Sequence, residues 1–204
     1  MNKTIGLIIR IALVVAILCL VYALYESIMN PIRFNKDMKK REAKVIERLK
    51  DIRTVERAFK GEHGRYTGSF DSLVYFYKYG QITVELQIGS MDDSLAVARK
   101  QVIRKKEKVA VSEAFPIGTP ADSLSIVPNS NGARFELAAG TFVTSSNVPV
   151  PVFECKVHND VYLSGLERQL VVNINDERKK LDKYPGLKVG SLTEATNDAG
   201  NWEH

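Results

Sequence analysis

Cysteine is scarce in this chain, whose 204 residues contain only Cys19 and Cys155. Two cysteines cannot form the framework of a disulfide-rich domain. Glycine and proline are also sparse, at 13 and 7 residues, whereas hydrophobic residues make up 45% and charged residues 26%. This composition excludes collagen-like and globally disordered chains and predicts a folded core. The length leaves room for one compact domain and an appendage.

Histidine is equally rare, and none of His63, His158 and His204 has another histidine or cysteine at a metal-ligand spacing. Cys155 and His158 lie three residues apart on an alternating segment, so as strand residues they point to opposite faces. We therefore expect a structural cysteine, with an anchored hydrolase using Cys155 as a remote alternative. The acidic pairs Asp92-Asp93 and Asp176-Glu177 are typical of solvated surface, with cation binding as the alternative.

The glycine-rich segment GEHGRYTG, residues 61–68, lacks the spacing of phosphate-binding loops, so we interpret it as a turn. No other motif in the chain carries a recognisable chemistry. The sequence therefore predicts no catalytic residue, no metal and no cofactor.

A long apolar run occupies residues 5–25, which read IGLIIRIALVVAILCLVYALY with Arg10 as the single charge. A transmembrane helix needs about 20 such residues, so we expect this segment to cross a lipid bilayer. Arg10 lies near the start, from where its side chain can reach the headgroups. A signal peptide cleaved after Ala23 is the alternative.

Positive charge is concentrated directly after this run. Residues 33–60 hold 11 Lys and Arg against 5 Asp and Glu, whereas residues 61–204 hold 16 against 18. Because acids interrupt the basic residues, we expect a solvated helix near anionic headgroups and no nucleic-acid binding. The positive-inside rule by itself favours a cytoplasmic body.

Residues 33–60 have the pattern of an amphipathic helix. Asn30-Pro31 predicts a break or kink before it, and Gly61 and Gly64 predict its end. Four apolar residues recur every seven positions, and these are the candidate contact residues, for the chain's own sheet and for a partner: Met38, Val45, Ile52 and Phe59. Because Glu42 and Glu56 occupy the alternate heptad positions, packing on the chain's own sheet is favoured over a continuous coiled coil.

The remaining residues predict a mixed domain. A short helix is expected from Ser69 to Gly80. The secondary structure of residues 81–112 is ambiguous: QITVELQI alternates like a strand, DDSLAVARKQV is compatible with a helical turn, and KKEKVAVSEAF alternates again. The expected strands are SLSIV, ARFELAAG, TFVTS, VPVFECKV and QLVVNI, and a last helix is expected near Asp176 to Leu181. SLTE, residues 191–194, has capping-box spacing. The predicted fold class is α+β, with a membrane anchor at residues 1–32, an amphipathic helix at 33–60 and a mainly antiparallel β domain at 61–204.

The order of these parts over about residues 5–80 resembles type IV pilins and type II secretion pseudopilins. The most specific stretch is IRTVERAFKGEHGRYTGSFDSL, residues 52–73, in which Gly64-Arg65-Tyr66 is similar to the Gly-x-Tyr-Pro turn of pilins. The chain departs from that pattern because Thr67 stands in place of the proline. It also lacks the prepilin peptidase signature, since cleavage after Gly6 would put Ile11 where the family has glutamate. This departure favours retained anchorage over processing. The tail, residues 179–204, is similar to that of uncharacterised bacterial single-span membrane proteins.

The resemblance implies a non-enzymatic subunit of a bacterial envelope assembly, such as a pilus or secretion apparatus. It implies anchorage in the inner membrane, a periplasmic domain, other envelope proteins as partners and a possible homo-oligomer. The rival prediction is a membrane-tethered module that binds a ligand or cell-wall component through an aromatic wall. The wall would be formed by Tyr66, Tyr75, Tyr77 and Tyr79.

Overall fold

One helix of 61 residues dominates the computed structural model, which describes residues 3–88 and 103–203. Helix α1 runs from Lys3 to His63 and includes Pro31 in its interior. The structure contains no break at Asn30-Pro31, so the expected second helix is the continuation of the first. Proline removes one intrahelical hydrogen bond, and here the turns on both sides continue the helix across that loss. The apolar run and the amphipathic segment therefore belong to one continuous helix.

The end of α1 follows the glycine signal in the sequence. Gly64 has φ of 70°, and its N–H donates to the Lys60 carbonyl at 2.8 Å. This left-handed residue satisfies a carbonyl of the last turn and redirects the chain, as a glycine cap does. Helix α2, Phe70–Tyr79, begins after Ser69 and ends at Gly80, as predicted, although the Ser69 side chain makes no capping bond.

Two strands follow α2. Strand β1, Gln81–Ile88, pairs antiparallel with β2, Ile103–Ala110, in a register that places Gln81 opposite Ala110. The helical turn that we expected in DDSLAVARKQV falls on residues 92–102, outside the described residues. The short helix α3, Val111–Ala114, follows β2, and its first N–H donates to the Gly80 carbonyl at 3.1 Å.

The second half contains a three-stranded antiparallel sheet in the order β3-β4-β5. Its strands are β3, Glu136–Val143, β4, Pro149–His158, and β5, Gly186–Gly190. Between β4 and β5 lie two helices, α4, Asn159–Tyr162, and α5, Arg168–Lys180. The α+β class and the antiparallel pairing are therefore as predicted.

Two local predictions in this half, both of strands, are wrong. SLSIV, residues 123–127, forms no strand, because a 3-10 turn at Ala121–Ser123 and one bridge from Ile126 to Arg134 occupy it. QLVVNI, residues 169–174, belongs to α5, whose buried Val171 and Asn175 are one helical turn apart. The SLTE segment starts no helix but leads through turns to the bridge between Val189 and Gly200.

The core forms where the second half of α1 crosses the three-stranded sheet. Fully buried residues of α1, Val45, Leu49, Ile52 and Val55, belong to the same cluster as Phe153 and Cys155 of β4 and Val189 of β5. Tyr162 and Leu163 complete this cluster from the α4 side. The soluble half of α1 is thus the central element of the domain.

Candidate contact surfaces and buried polar groups

The four predicted contact residues lie on the face of α1 that points into the domain. Val45 and Ile52 have no exposed surface, Phe59 is buried, and Met38 is half-buried against the core cluster. The expected packing on the chain's own sheet is thus present. In this conformation Val45 and Ile52 offer no surface to another protein. Partner binding through the four residues stays a prediction, and we look elsewhere on α1 for a contact surface.

The N-terminal half of α1 is exposed from Leu7 to Tyr25. The helix contains one stretch that is long and apolar enough to cross a membrane, and none of that stretch is buried in the structure. The exposed apolar surface continues past Tyr25 to Ile28 and Ile32, which are 62% and 53% exposed. Phe34, at 6% exposure, is the first residue of α1 to join the core. A single candidate span near the N-terminus is what a single-pass membrane protein requires.

Charged residues follow the candidate span along α1. Glu26 and Arg33 form an ion pair at 3.5 Å. Farther on, three exposed lysines recur at every fourth position, so they share the face opposite the buried stripe. They are Lys36, Lys40 and Lys44. This face of α1 is covered by no other described part of the chain.

The tyrosine of the Gly64-Arg65-Tyr66 turn is part of the core and fixes the tail to α1. Tyr66 is 5% exposed, and its hydroxyl donates to Asp198 Oδ2 at 2.7 Å. Arg57 Nε donates to the same carboxylate oxygen at 3.0 Å, and Lys60 Nζ donates to the Tyr66 hydroxyl at 3.2 Å. Burial raises the pKa of Tyr66, and the hydrogen bond to Asp198 raises it further. The turn thus holds the C-terminal segment against the helix end.

A buried carboxyl group lies beneath this turn, and sequence reasoning missed it. Glu56 has no exposed surface, and its Oε2 accepts a hydrogen bond from Thr67 N at 3.1 Å. Its Oε1 has no hydrogen-bond partner within the described ranges 3–88 and 103–203. Burial raises the pKa of Glu56 to about 8, although the bond from Thr67 acts in the opposite direction. The group is therefore mostly protonated at neutral pH. The signal that could have revealed it is an acid one turn after Ile52 on an otherwise apolar face.

A second polar network connects α1 with α4 and α5. Asn159 Nδ2 donates to Asn175 Oδ1 at 2.7 Å, and the Tyr162 hydroxyl donates to Asn159 Oδ1 at 2.7 Å. Glu42 lies at the edge of this network, where Arg178 Nη2 donates to its Oε1 at 3.4 Å. Glu42 therefore occupies its heptad position as a structural partner of Arg178. Buried groups that are all paired in this way position the helices relative to one another.

The proposed aromatic wall does not assemble from all four tyrosines. Tyr66 is buried, and the hydroxyl of the half-buried Tyr77 accepts a hydrogen bond from Ile117 N at 3.4 Å. Tyr75 and Tyr79 are exposed, at 68% and 70%, with ring centroids 5.1 Å apart. Only this pair remains available to a ligand.

The Cys155 side chain is enclosed in the core. It has no exposed surface, and burial raises its pKa well above the usual thiol value. His158 Nδ1 lies 3.2 Å from Asp160 N, from which it accepts a hydrogen bond, and thus caps α4. A thiol that is neutral and inaccessible does not act as a nucleophile. Across the described residues, no cluster of three or more His, Cys, Asp or Glu could hold a metal ion.

Comparison with known proteins adds no relative to these observations. No family model matches the chain, and neither a curated protein nor a solved structure matches it. Function must therefore be argued from the geometry of the chain itself.

Proposed function

We propose that this protein is a non-enzymatic, single-pass inner-membrane subunit of a bacterial envelope assembly, such as a pilus or secretion apparatus, with its domain in the periplasm. The observation that carries the proposal is the continuity of α1, Lys3–His63, from the candidate span into the domain core. A helix shared by both parts transmits position and rotation from the membrane to the domain.

The dimensions of α1 fit a domain that lies close to the bilayer surface. Residues 5–25 extend over about 30 Å at 1.5 Å per residue, which matches the hydrocarbon thickness. Phe34, the first residue of α1 in the core, follows Tyr25 by about 14 Å of helix. The domain therefore begins just outside the headgroup region.

The segment between the span and the domain supports a contact role. Ile28 and Ile32 are exposed one helical turn apart, so they share one face, while the Glu26–Arg33 ion pair lies on another. Apolar side chains that no described part of the chain covers fit a neighbouring helix at the membrane surface. We therefore place the partner contact of α1 on this face.

Location is tested with a membrane-impermeant maleimide in intact cells. The variant carries Cys19→Ala and Ser146→Cys, because Ser146 is exposed in the turn between β3 and β4. Buried Cys155 remains as an internal control that should react only after denaturation. Labelling from outside the inner membrane is the expected result. Protection until lysis would contradict the periplasmic location and favour a cytoplasmic adaptor, as the positive charges after the span do.

The contact itself is tested by photo-crosslinking in cells. A photoreactive amino acid at Ile32 should produce crosslinks to envelope proteins or to a second copy. The matched control at Lys50, which is exposed on the same helix inside the domain region, should produce markedly fewer. If the protein purified in mild detergent brings no envelope protein with it, and Ile32 forms no crosslink, the assembly role is refuted.

A further inference from the structure

The two edges of the three-stranded sheet differ, because the C-terminal tail covers one of them. The outer edge of β5 is covered by the tail, because Asn201 N donates to the Lys188 carbonyl at 3.0 Å and Lys188 N donates to Asn201 Oδ1 at 3.1 Å. Gly190 N also donates to the Ala199 carbonyl at 3.0 Å. Strand β3 forms the other edge, and within the described ranges only β4 forms backbone hydrogen bonds with it. The turn covers this edge at Ala139, because a Cβ added at Gly68 would lie 3.3 Å from Ala139 N, so the free part is the end at Thr141 and Val143.

Two prolines show which groups of β3 point away from the sheet. Thr141 is opposite Pro151, and Val143 is opposite Pro149. Proline has no N–H, so these pairs do not exchange hydrogen bonds, and the N–H and C=O of Thr141 and Val143 face outward. The pairing of β4 with β5 agrees with this direction. A Cβ added at Gly190 of β5 would lie 2.1 Å from the Phe153 carbonyl oxygen, so this carbonyl points toward β5. Backbone groups two residues apart on a strand point the same way, so those of Pro151 and Pro149 also point toward β5 and away from β3.

A trough runs beside this free edge. One concavity, of about 350 Å³, lies between the turn at residues 65–68, Ser72 of α2 and residues 139–141 of β3. A second, of about 620 Å³, extends to exposed Tyr75. The two concavities share Phe59, Arg65 and Ser72, so they lie next to each other.

The charge and size of the lining residues restrict what this trough can accept. Arg65 is exposed, lines both concavities and forms no ion pair with any described residue. The acids Glu62 and Asp71 line only the concavity at the Tyr75 end. The half next to β3 is therefore basic. The uncharged residues that line this half include the small Gly68, Ser72, Ala139 and Gly140.

We propose that this trough accepts an extended segment of a partner protein, which adds as a strand to β3 and directs an acidic side chain to Arg65. The outward groups of Thr141 and Val143 supply the main-chain hydrogen bonds, as in other cases of strand addition. Val143 and Val148, 54% and 52% exposed at the end of the hairpin, provide apolar contact. The proposal rests on the proposed function, for which it identifies a second partner surface.

The probe is a fluorescein-labelled hexapeptide of alternating valine and glutamate, and its binding to the full chain in dodecyl maltoside is measured by fluorescence anisotropy. We expect saturable binding below about 1 mM. The same peptide with valine and lysine should bind less tightly because of Arg65. A version with N-methylated amides should not bind, since it cannot donate hydrogen bonds to a strand edge.

Variants separate the backbone contribution from the charge. Thr141→Pro removes an outward N–H that the sheet does not use, so the fold should persist while affinity falls about tenfold. Thr141→Val keeps the N–H and is the matched control. Arg65→Gln should lower affinity roughly fivefold and abolish the preference for glutamate over lysine. The single Trp202 reports whether each variant is folded.

Several outcomes would overturn the proposal. These are no binding at about 1 mM peptide, equal binding to the N-methylated peptide, or unchanged affinity of folded Thr141→Pro. A dimer of the full chain that Thr141→Pro dissociates would instead assign β3 to a second copy. Because the Ile32 crosslink is an independent measurement, failure of peptide binding leaves the proposed function standing and removes only this surface.

Discussion

Glu56 should make the stability of the domain depend on pH in a direction opposite to that of an ordinary surface acid. Its folded pKa is raised from 4.5 to about 8 by burial. A raised pKa means that the folded chain holds a proton that the unfolded chain releases, so its stabilising effect is complete below about pH 4.5 and is lost as pH rises to about 8. With 1.36 kcal/mol per pKa unit, the loss from pH 5 to pH 8 is about 3 to 4 kcal/mol.

The decisive comparison is Glu56→Gln, which keeps the shape of the side chain and cannot ionise. Urea unfolding of the full chain in dodecyl maltoside, followed by Trp202 fluorescence, gives the free energy of unfolding at pH 5 and pH 8. From pH 5 to pH 8 the wild type should lose about 3 to 4 kcal/mol of unfolding free energy that Glu56→Gln does not lose. Glu47→Gln, an exposed change on the same helix, should follow the wild type. Parallel pH profiles for wild type and Glu56→Gln would refute the reasoning.

Three further predictions concern the turn, the tail and the core. In the same unfolding assay, Gly64→Ala should destabilise the chain by about 1 kcal/mol, because residue 64 has a left-handed φ. Gly61→Ala should instead stabilise it by about 0.5 to 1 kcal/mol, because Gly61 lies inside α1 with open space around it. Asn201→Ala removes two hydrogen bonds that cover the β5 edge and should cost about 1 to 2 kcal/mol; an unchanged urea midpoint would contradict that role. In a Cys19→Ala variant, iodoacetamide should modify the buried Cys155 only as fast as the chain unfolds, as followed by mass spectrometry. Rapid modification of the folded protein would support the hydrolase hypothesis.

Predictions from the sequence were reliable where local signals decide the structure. Gly64 ends α1 because its left-handed φ is a local property of glycine. Ser69 and Gly80 bound α2 as predicted, although Ser69 makes no capping bond and Gly80 is extended. Pro31 misled us because one lost hydrogen bond does not end a helix that continues favourably on both sides. The valines of QLVVNI suggested a strand, but this segment is part of helix α5. Asn175 of the same helix is hydrogen-bonded to Asn159, which lies 16 residues earlier in the chain, so the neighbouring residues alone do not reveal this contact.

The buried site was beyond sequence reasoning for a similar reason. Glu56 is paired with Thr67, which follows it only after the helix has ended and the chain has turned back. In the sequence, Glu56 on the apolar face was interpreted only as an interruption of a coiled coil. The predicted packing of α1 on the chain's own sheet was correct, but the burial of Glu56 in that packing was not predicted. The free edge of β3 likewise depended on knowing that β5 lies at the opposite edge.

The unbroken α1 sets the angle of the domain as well as its height above the membrane. Each residue between Tyr25 and Phe34 turns the domain by about 100° around the span and raises it by 1.5 Å. Deleting one residue would therefore turn the domain by more than a quarter of a circle, whereas deleting seven would restore nearly the same direction at a lower height. The number of residues between Tyr25 and Phe34 thus fixes the direction in which each face of the domain points relative to the span.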